Sequence, residues 1–188
     1  MPAQTTAQNI TILHSFAPFE RWPTNSDGAE PENGVIFSSN TLYGTTFRGS
    51  PSGYGTVFAV NSDGTGFTSL YAFSGGADGR YPYGLVISGN TLYGTTSSGG
   101  SSSMGTAGSG SGTVFSINID GSGFTDLYNF SFAPYHSLNV NTNADGARPT
   151  YLIISGGSLY GITGYAGLYG RGTIFSLNTD GVRVQHSS

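Results

Sequence analysis

The chain of 188 residues has no cysteine and no lysine. The first absence excludes disulfides and thiolate metal sites and leaves the redox compartment open. The second leaves six arginines as the only permanent side-chain cations. Charged residues make up 9% of the chain, with a net charge of -4. So few cations do not suit a nucleic-acid backbone, which needs them clustered. No apolar run approaches the ~20 residues of a membrane-spanning helix. Residues 1–8 lack the basic and apolar regions of a signal peptide. No segment sustains a helical period. Low charge combined with 13% aromatic residues also argues against disorder over the whole chain.

What is present is repetition. One stretch occurs three times, as Thr41-Leu42-Tyr43-Gly44-Thr45-Thr46, Thr91-Leu92-Tyr93-Gly94-Thr95-Thr96 and Ser158-Leu159-Tyr160-Gly161-Ile162-Thr163. Each copy is followed by a Gly/Ser-rich gap and then by Gly55-Thr56-Val57-Phe58, Gly112-Thr113-Val114-Phe115 or Gly172-Thr173-Ile174-Phe175. Short apolar runs at 34–37, 84–87 and 151–154 come before the Leu-Tyr-Gly copies. A third kind of strand signal reads Leu13-His14-Ser15-Phe16, Leu70-Tyr71-Ala72-Phe73 and Leu127-Tyr128-Asn129-Phe130. Asp63-Gly64, Asp120-Gly121 and Asp180-Gly181 suit hairpin turns that need positive φ. Asp27, Asp78 and Asp145 recur in a loop ahead of Pro31, Pro82 and Pro149, which reads as a structural turn.

Four short strands in a period of about 57–60 residues signal an array of propeller blades. The expected fold is therefore all-β, a β-propeller of four-stranded antiparallel blades, three per chain. The three tandem β-blade repeats cover 10–66, 67–123 and 124–181, between tails 1–9 and 182–188, so that each repeat begins with the outer strand of the blade before it. In each, the apolar run is innermost, and the Leu-Tyr-Gly, Gly-Thr-Val-Phe and Leu-Tyr-x-Phe strands follow outward. Expected core residues are Tyr43, Tyr93, Tyr160, Leu42, Leu92, Leu159, Phe58, Phe115, Phe175, Phe73 and Phe130. His14 takes the place of Tyr71 and Tyr128 and is expected to be packed. The gap 97–112 reads as a flexible tether that buries little.

Together these motifs, in fixed order over residues 10–181, resemble the GloVer-type tandem repeat of bacterial secreted and surface proteins. The resemblance implies a propeller-like array and a secreted or cell-surface setting. It implies no reaction and supplies no catalytic residues.

Alternate connections of an antiparallel blade share a face. The long loops 17–33, 97–111 and 131–150 therefore collect on one side, where a rigid scaffold tends to present function. That side also gathers Arg21, Trp22, Arg48, Arg80, Tyr81, Tyr135, His136 and Arg148, the candidate ligand-binding residues. Arg171 and the carboxylates Glu20, Glu30 and Glu32 lie there too. Aromatic rings beside arginines suit sugar or peptide recognition, through stacking and forked hydrogen bonds. The competing reading makes them loop anchors and surface ion pairs, each worth only ~0–1 kcal/mol.

No nucleophile elbow, phosphate loop or zinc motif appears. No metal, cofactor or catalytic residue is expected. The reading is a non-enzymatic module that self-assembles and presents a face for a glycan or surface partner. Its alternatives are a purely structural repeat and, behind both, a propeller hydrolase or lyase using the loop carboxylates. Three blades are too few to close a ring, since propellers typically take 4–8. The expected partner is a second copy, joined head-to-tail into a six-bladed ring, with residues 10–16 completing a blade through 172–178.

Overall fold

The computed structural model describes residues 9–101, 110–133 and 142–181. It contains eleven strands among them and no helix. Blade 1 is the antiparallel sheet β1 (Ile36–Ser38), β2 (Thr41–Thr46), β3 (Thr56–Asn61) and β4 (Thr68–Ala72), in that order. Blade 2 repeats it with β5 (Arg80–Ser88), β6 (Thr91–Ser98), β7 (Thr113–Asn118) and β8 (Thr125–Asn129). Blade 3 has β9 (Ala147–Ser155), β10 (Ser158–Tyr165) and β11 (Thr173–Asn178). The expected order within a blade is the observed one. A fourth strand of blade 3 would fall on 182–188, outside the described residues.

The recurring motifs interlock across the sheet. Gly44, Gly94 and Gly161 lie opposite Phe58, Phe115 and Phe175 on the neighbouring strand. A Cβ at these glycines would come within 2.5, 2.5 and 2.4 Å of the phenylalanine rings. The glycine of Leu-Tyr-Gly thus vacates the space that the phenylalanine of Gly-Thr-Val-Phe fills. The threonines lock the far end of the same strand pair. Thr46 and Thr56 share a hydroxyl contact of 2.9 Å, Thr96 and Thr113 one of 2.9 Å, and Thr163 and Thr173 one of 3.0 Å. The asparagine and aspartate loops answer them. Ser74 N and Ser131 N donate to Asp78 and Asp145 at 2.7 and 2.9 Å, so these carboxylates hold the end of each outer strand.

Two joints hold the blades face to face. At the first, Tyr43, Val57 and Ile36 of blade 1 pack with Leu85, Leu92, Phe115 and Ile117 of blade 2. At the second, Tyr93, Val114 and Val86 meet Leu152, Leu159 and Leu177 of blade 3. The outer strands reach across each joint. Tyr71 stacks on Phe124 at 4.0 Å, and Phe73 meets Phe115 edge-on at 5.2 Å. Phe130 meets Phe175 in the same way at 5.1 Å.

Three expectations are corrected. Residues 10–16 form no ladder, because no described strand of this chain lies where their sheet partner would be. Tyr160 is 41% exposed although Tyr43 and Tyr93 are 6% and 8% exposed, because among the described residues no blade covers the forward face of blade 3. The described ends of the gap, 97–101 and 110–112, are packed rather than loose. Ser97, Gly99, Gly100, Ser111 and Gly112 are buried, and a Cβ on Gly110 would lie 1.9 Å from the Gly99 carbonyl oxygen. Backbone from both ends closes there by a bridge between Gly99 and Ser111. Residues 102–109 lie outside the described residues.

Candidate functional site

The loop face carries a string of alternating cations and rings. The Arg48 guanidinium sits 4.9 Å from the Trp22 ring centre and 5.7 Å from that of Phe47. Phe47 stacks on Tyr81 at 4.6 Å with an interplanar angle of 15°. Arg80 lies over Tyr81 at 5.0 Å and over Tyr54 at 5.8 Å. Arg48 also pairs with Glu30 at 3.6 Å. Cation–ring contacts at partly exposed sites contribute roughly 0.5–1 kcal/mol each. They order the side chains more than they stabilise the fold.

Beyond Tyr81 the string opens into a groove of about 440 Å³ that spans the loops of all three blades. Its lining follows the repeat. Phe47, Ser97 and Gly164 each come directly after the twin-threonine position, and Ser98 and Tyr165 come next. Tyr81 and Arg148 each precede a proline, and Tyr83 and Thr150 each follow it. The side chains differ at every one of these positions, while the flanking Thr and Pro stay the same. Arg148 lies over Tyr165 at 4.9 Å, and Arg80 completes the cationic side. Among the described residues no carboxylate lines the groove.

The backbone aims these side chains at some cost. Glu30, Tyr81 and Arg148 have φ of 59°, 58° and 55°, in the left-handed region. Each is also followed by proline, which ordinarily pushes the preceding residue to extended backbone. Such a conformation costs on the order of 1–3 kcal/mol and persists only where the surroundings enforce it. Here the preceding blade enforces two of them. Tyr81 N donates to the Tyr54 carbonyl and Arg148 N to the Ser111 carbonyl, both at 2.9 Å.

Of the residues expected on this face, Trp22, Arg48, Arg80 and Tyr81 are joined in one string, and Arg80, Tyr81 and Arg148 in one groove. Arg21 is exposed, in a bridge to Thr24, and has no part in the groove. Tyr135 and His136 lie outside the described residues. His14 stacks on Phe67 at 3.6 Å, and its Nε2 is 3.0 Å from Asp27 Oδ2, a packed position as expected. Sequence reasoning missed Phe47, Tyr83, Ser97, Ser98, Thr150 and Tyr165. The signal was available: they occupy the registers beside Thr-Thr and Pro where the three units diverge.

This geometry repeats because the chain is one recurrent unit throughout, and residues 3–187 match the Gloeobacter/Verrucomicrobia repeat. The chain belongs to that family. Among solved structures, this member of the repeat family is similar to a putative TolB from Agrobacterium tumefaciens. The TM-score is 0.50 at 15% identity, over 84% of this chain and 46% of the other. That neighbour is propeller-like and supports the fold alone, and the repeat chain spans about half its length. A nidogen/laminin complex matches at a TM-score of 0.37 and 12% identity, over 78% of this chain and 58% of that one. No curated protein matches.

Proposed function

We propose that this chain is a non-enzymatic, secreted or surface-borne binding module whose loop face takes an acidic saccharide. The observation that carries the reading is the groove. Its positions vary between units on a framework that does not, and two of the variable side chains are held at left-handed φ. Arg80 and Arg148 supply positive charge to the groove, which suits a sugar carboxylate through a forked hydrogen bond. Tyr81, Tyr83 and Tyr165 supply faces for sugar C–H groups, and Ser97, Ser98 and Thr150 supply hydroxyls. A purely structural repeat is the second reading. It is supported by Arg48, which is satisfied internally by Glu30 and Trp22.

Calorimetric titration with a uronic-acid tetrasaccharide, its methyl ester and neutral cellotetraose separates the two. The acid binds and the ester binds at least tenfold more weakly, since a hydrogen bond to a charged group contributes about 1.5–3 kcal/mol. Arg148→Gln removes the same increment. Equal affinity for acid and ester, or an unchanged Arg148→Gln protein, overturns the saccharide reading. No binding to any of the three favours the structural repeat.

A further inference from the structure

The two joints between blades share one backbone on the loop face. Thr45 Oγ1 donates to the Tyr83 carbonyl across the first, and Thr95 Oγ1 to the Thr150 carbonyl across the second, at 3.3 and 2.8 Å. Tyr81 N and Arg148 N, at φ of 58° and 55°, donate to the carbonyls of Tyr54 and Ser111, both at 2.9 Å. A Cβ on Gly55 would lie 2.6 Å from Pro82, and one on Gly112 would lie 2.7 Å from Pro149. Residues 47, 81 and 83 therefore stand at the first joint where 97, 148 and 150 stand at the second. Each joint has a blade on both sides, so only the side chains distinguish them.

Those side chains have opposite chemistry. The first joint carries Phe47, Tyr81 and Tyr83, the second Ser97, Arg148 and Thr150, and all six line the one groove. Phe47 stacks on Tyr81 at 4.6 Å, and Tyr83 stands at 86° to Phe47 with ring centres 6.2 Å apart. All three rings are half-buried. A single flat ring suits the broad face of a sugar, but two rings at right angles form a corner that closes around a small apolar group such as a methyl. The second joint offers two hydroxyls and a guanidinium in the same registers. An apolar group laid there would leave these polar groups without partners, which costs roughly 1–3 kcal/mol for each one buried. Arg80, 5.0 Å from the Tyr81 ring, adds a cation on the aromatic side, which suits a ligand with more than one carboxylate.

We propose that the groove is polarised along its length and takes a saccharide in which a uronate alternates with an N-acetylated sugar. The acetyl methyl enters the aromatic corner of the first joint. The neighbouring uronate lies on the second, its carboxylate on Arg148 and its hydroxyls against Ser97 and Thr150. The groove volume of about 440 Å³ falls within the range of small-ligand clefts, ~300–1,000 Å³. The inference rests on the acidic-saccharide reading and adds the second sugar and the direction in which the chain lies. Tyr83 and Thr150 occupy one register, as do Phe47 and Ser97, so these pairs set which sugar each joint accepts.

Calorimetric titration of the full chain with two tetrasaccharides tests this. One alternates glucuronate with N-acetylglucosamine, and the other is its N-formyl analogue, which keeps both carboxylates and lacks only the methyls. The acetylated acid is expected to bind about fourfold more tightly, the effect of burying one methyl. Tyr83→Thr gives the first joint the residue that the second carries at that register, and the two acids should then bind alike. Ser97→Phe gives the second joint the residue of the first. It should weaken both acids at least tenfold, with an unchanged far-ultraviolet spectrum. Equal affinity of the wild-type chain for the two acids, a preference that survives Tyr83→Thr, or a Ser97→Phe protein that binds like the wild type overturns this inference and leaves the acidic-saccharide reading standing. No binding of either acid overturns both.

Discussion

Replacing Phe73 by alanine tests the joint between blades 1 and 2 at its most enclosed point. The ring is fully buried and is met by Tyr71 at 5.0 Å, Phe115 at 5.2 Å and Phe124 at 5.9 Å. A phenylalanine buries ~150–250 Å², and at ~25 cal/mol per Å² its removal from water contributes about 4–6 kcal/mol. That figure is an upper bound, because the unfolded chain already buries part of the ring and alanine keeps its Cβ. Three aromatic walls drawn from two blades cannot collapse into the space together, so a cavity term persists. The expected loss is about 3–5 kcal/mol. Urea unfolding followed by far-ultraviolet circular dichroism measures it, with Tyr169→Ala, 80% exposed, as the control. Since Phe73 belongs to blade 1 and its partners Phe115 and Phe124 to blade 2, amide exchange should quicken on both sides of the joint. A loss below ~1 kcal/mol, or one equal to that of Tyr169→Ala, would show that the outer strands do not bind neighbouring blades together.

Gly112→Ala and Gly89→Ala both place a side chain at positive φ, yet they should differ. Gly89 has nothing within 4 Å of its added Cβ, whereas Gly112 would meet the Thr96 carbonyl oxygen at 2.2 Å and Pro149 at 2.7 Å. The first should cost ~1–2 kcal/mol and the second ~2–4 kcal/mol more, read from shifts in the urea midpoint. Asp126 is pushed up to about 6 from 3.8 by burial, against the hydrogen bond from Asn129 and with a further push from the Asp78 charge. Its folded pKa lies above its unfolded value, so its contribution is complete below about pH 4 and is lost as the pH rises through about 6. Asp126→Asn should flatten the stability profile over that window. A profile as steep as that of the wild-type chain would place the pH dependence elsewhere.

Much of the fold is legible because the signals are local. Glycine opposite phenylalanine, paired threonines and Asp-Gly turns each act within one strand pair, and the chain repeats them, so order and pairing follow from spacing. The groove was half legible. Its arginines and Tyr81 stand out as rare side chains on long loops. Phe47, Tyr83 and Tyr165 do not, because each looks like ordinary strand material until three blades bring their divergent registers together.

The sequence by itself determined the blade: its strand order, its turns and the glycine that admits each phenylalanine ring. Only the tertiary structure decided what covers what. Tyr43, Tyr93 and Tyr160 share the same local motif, yet the first two are buried and the third is not. Leu13-His14-Ser15-Phe16 reads as a strand and packs as one, but forms no ladder. The reason is physical: a strand's pattern is set by its own residues, but its burial and hydrogen bonds are completed by neighbours distant in the chain.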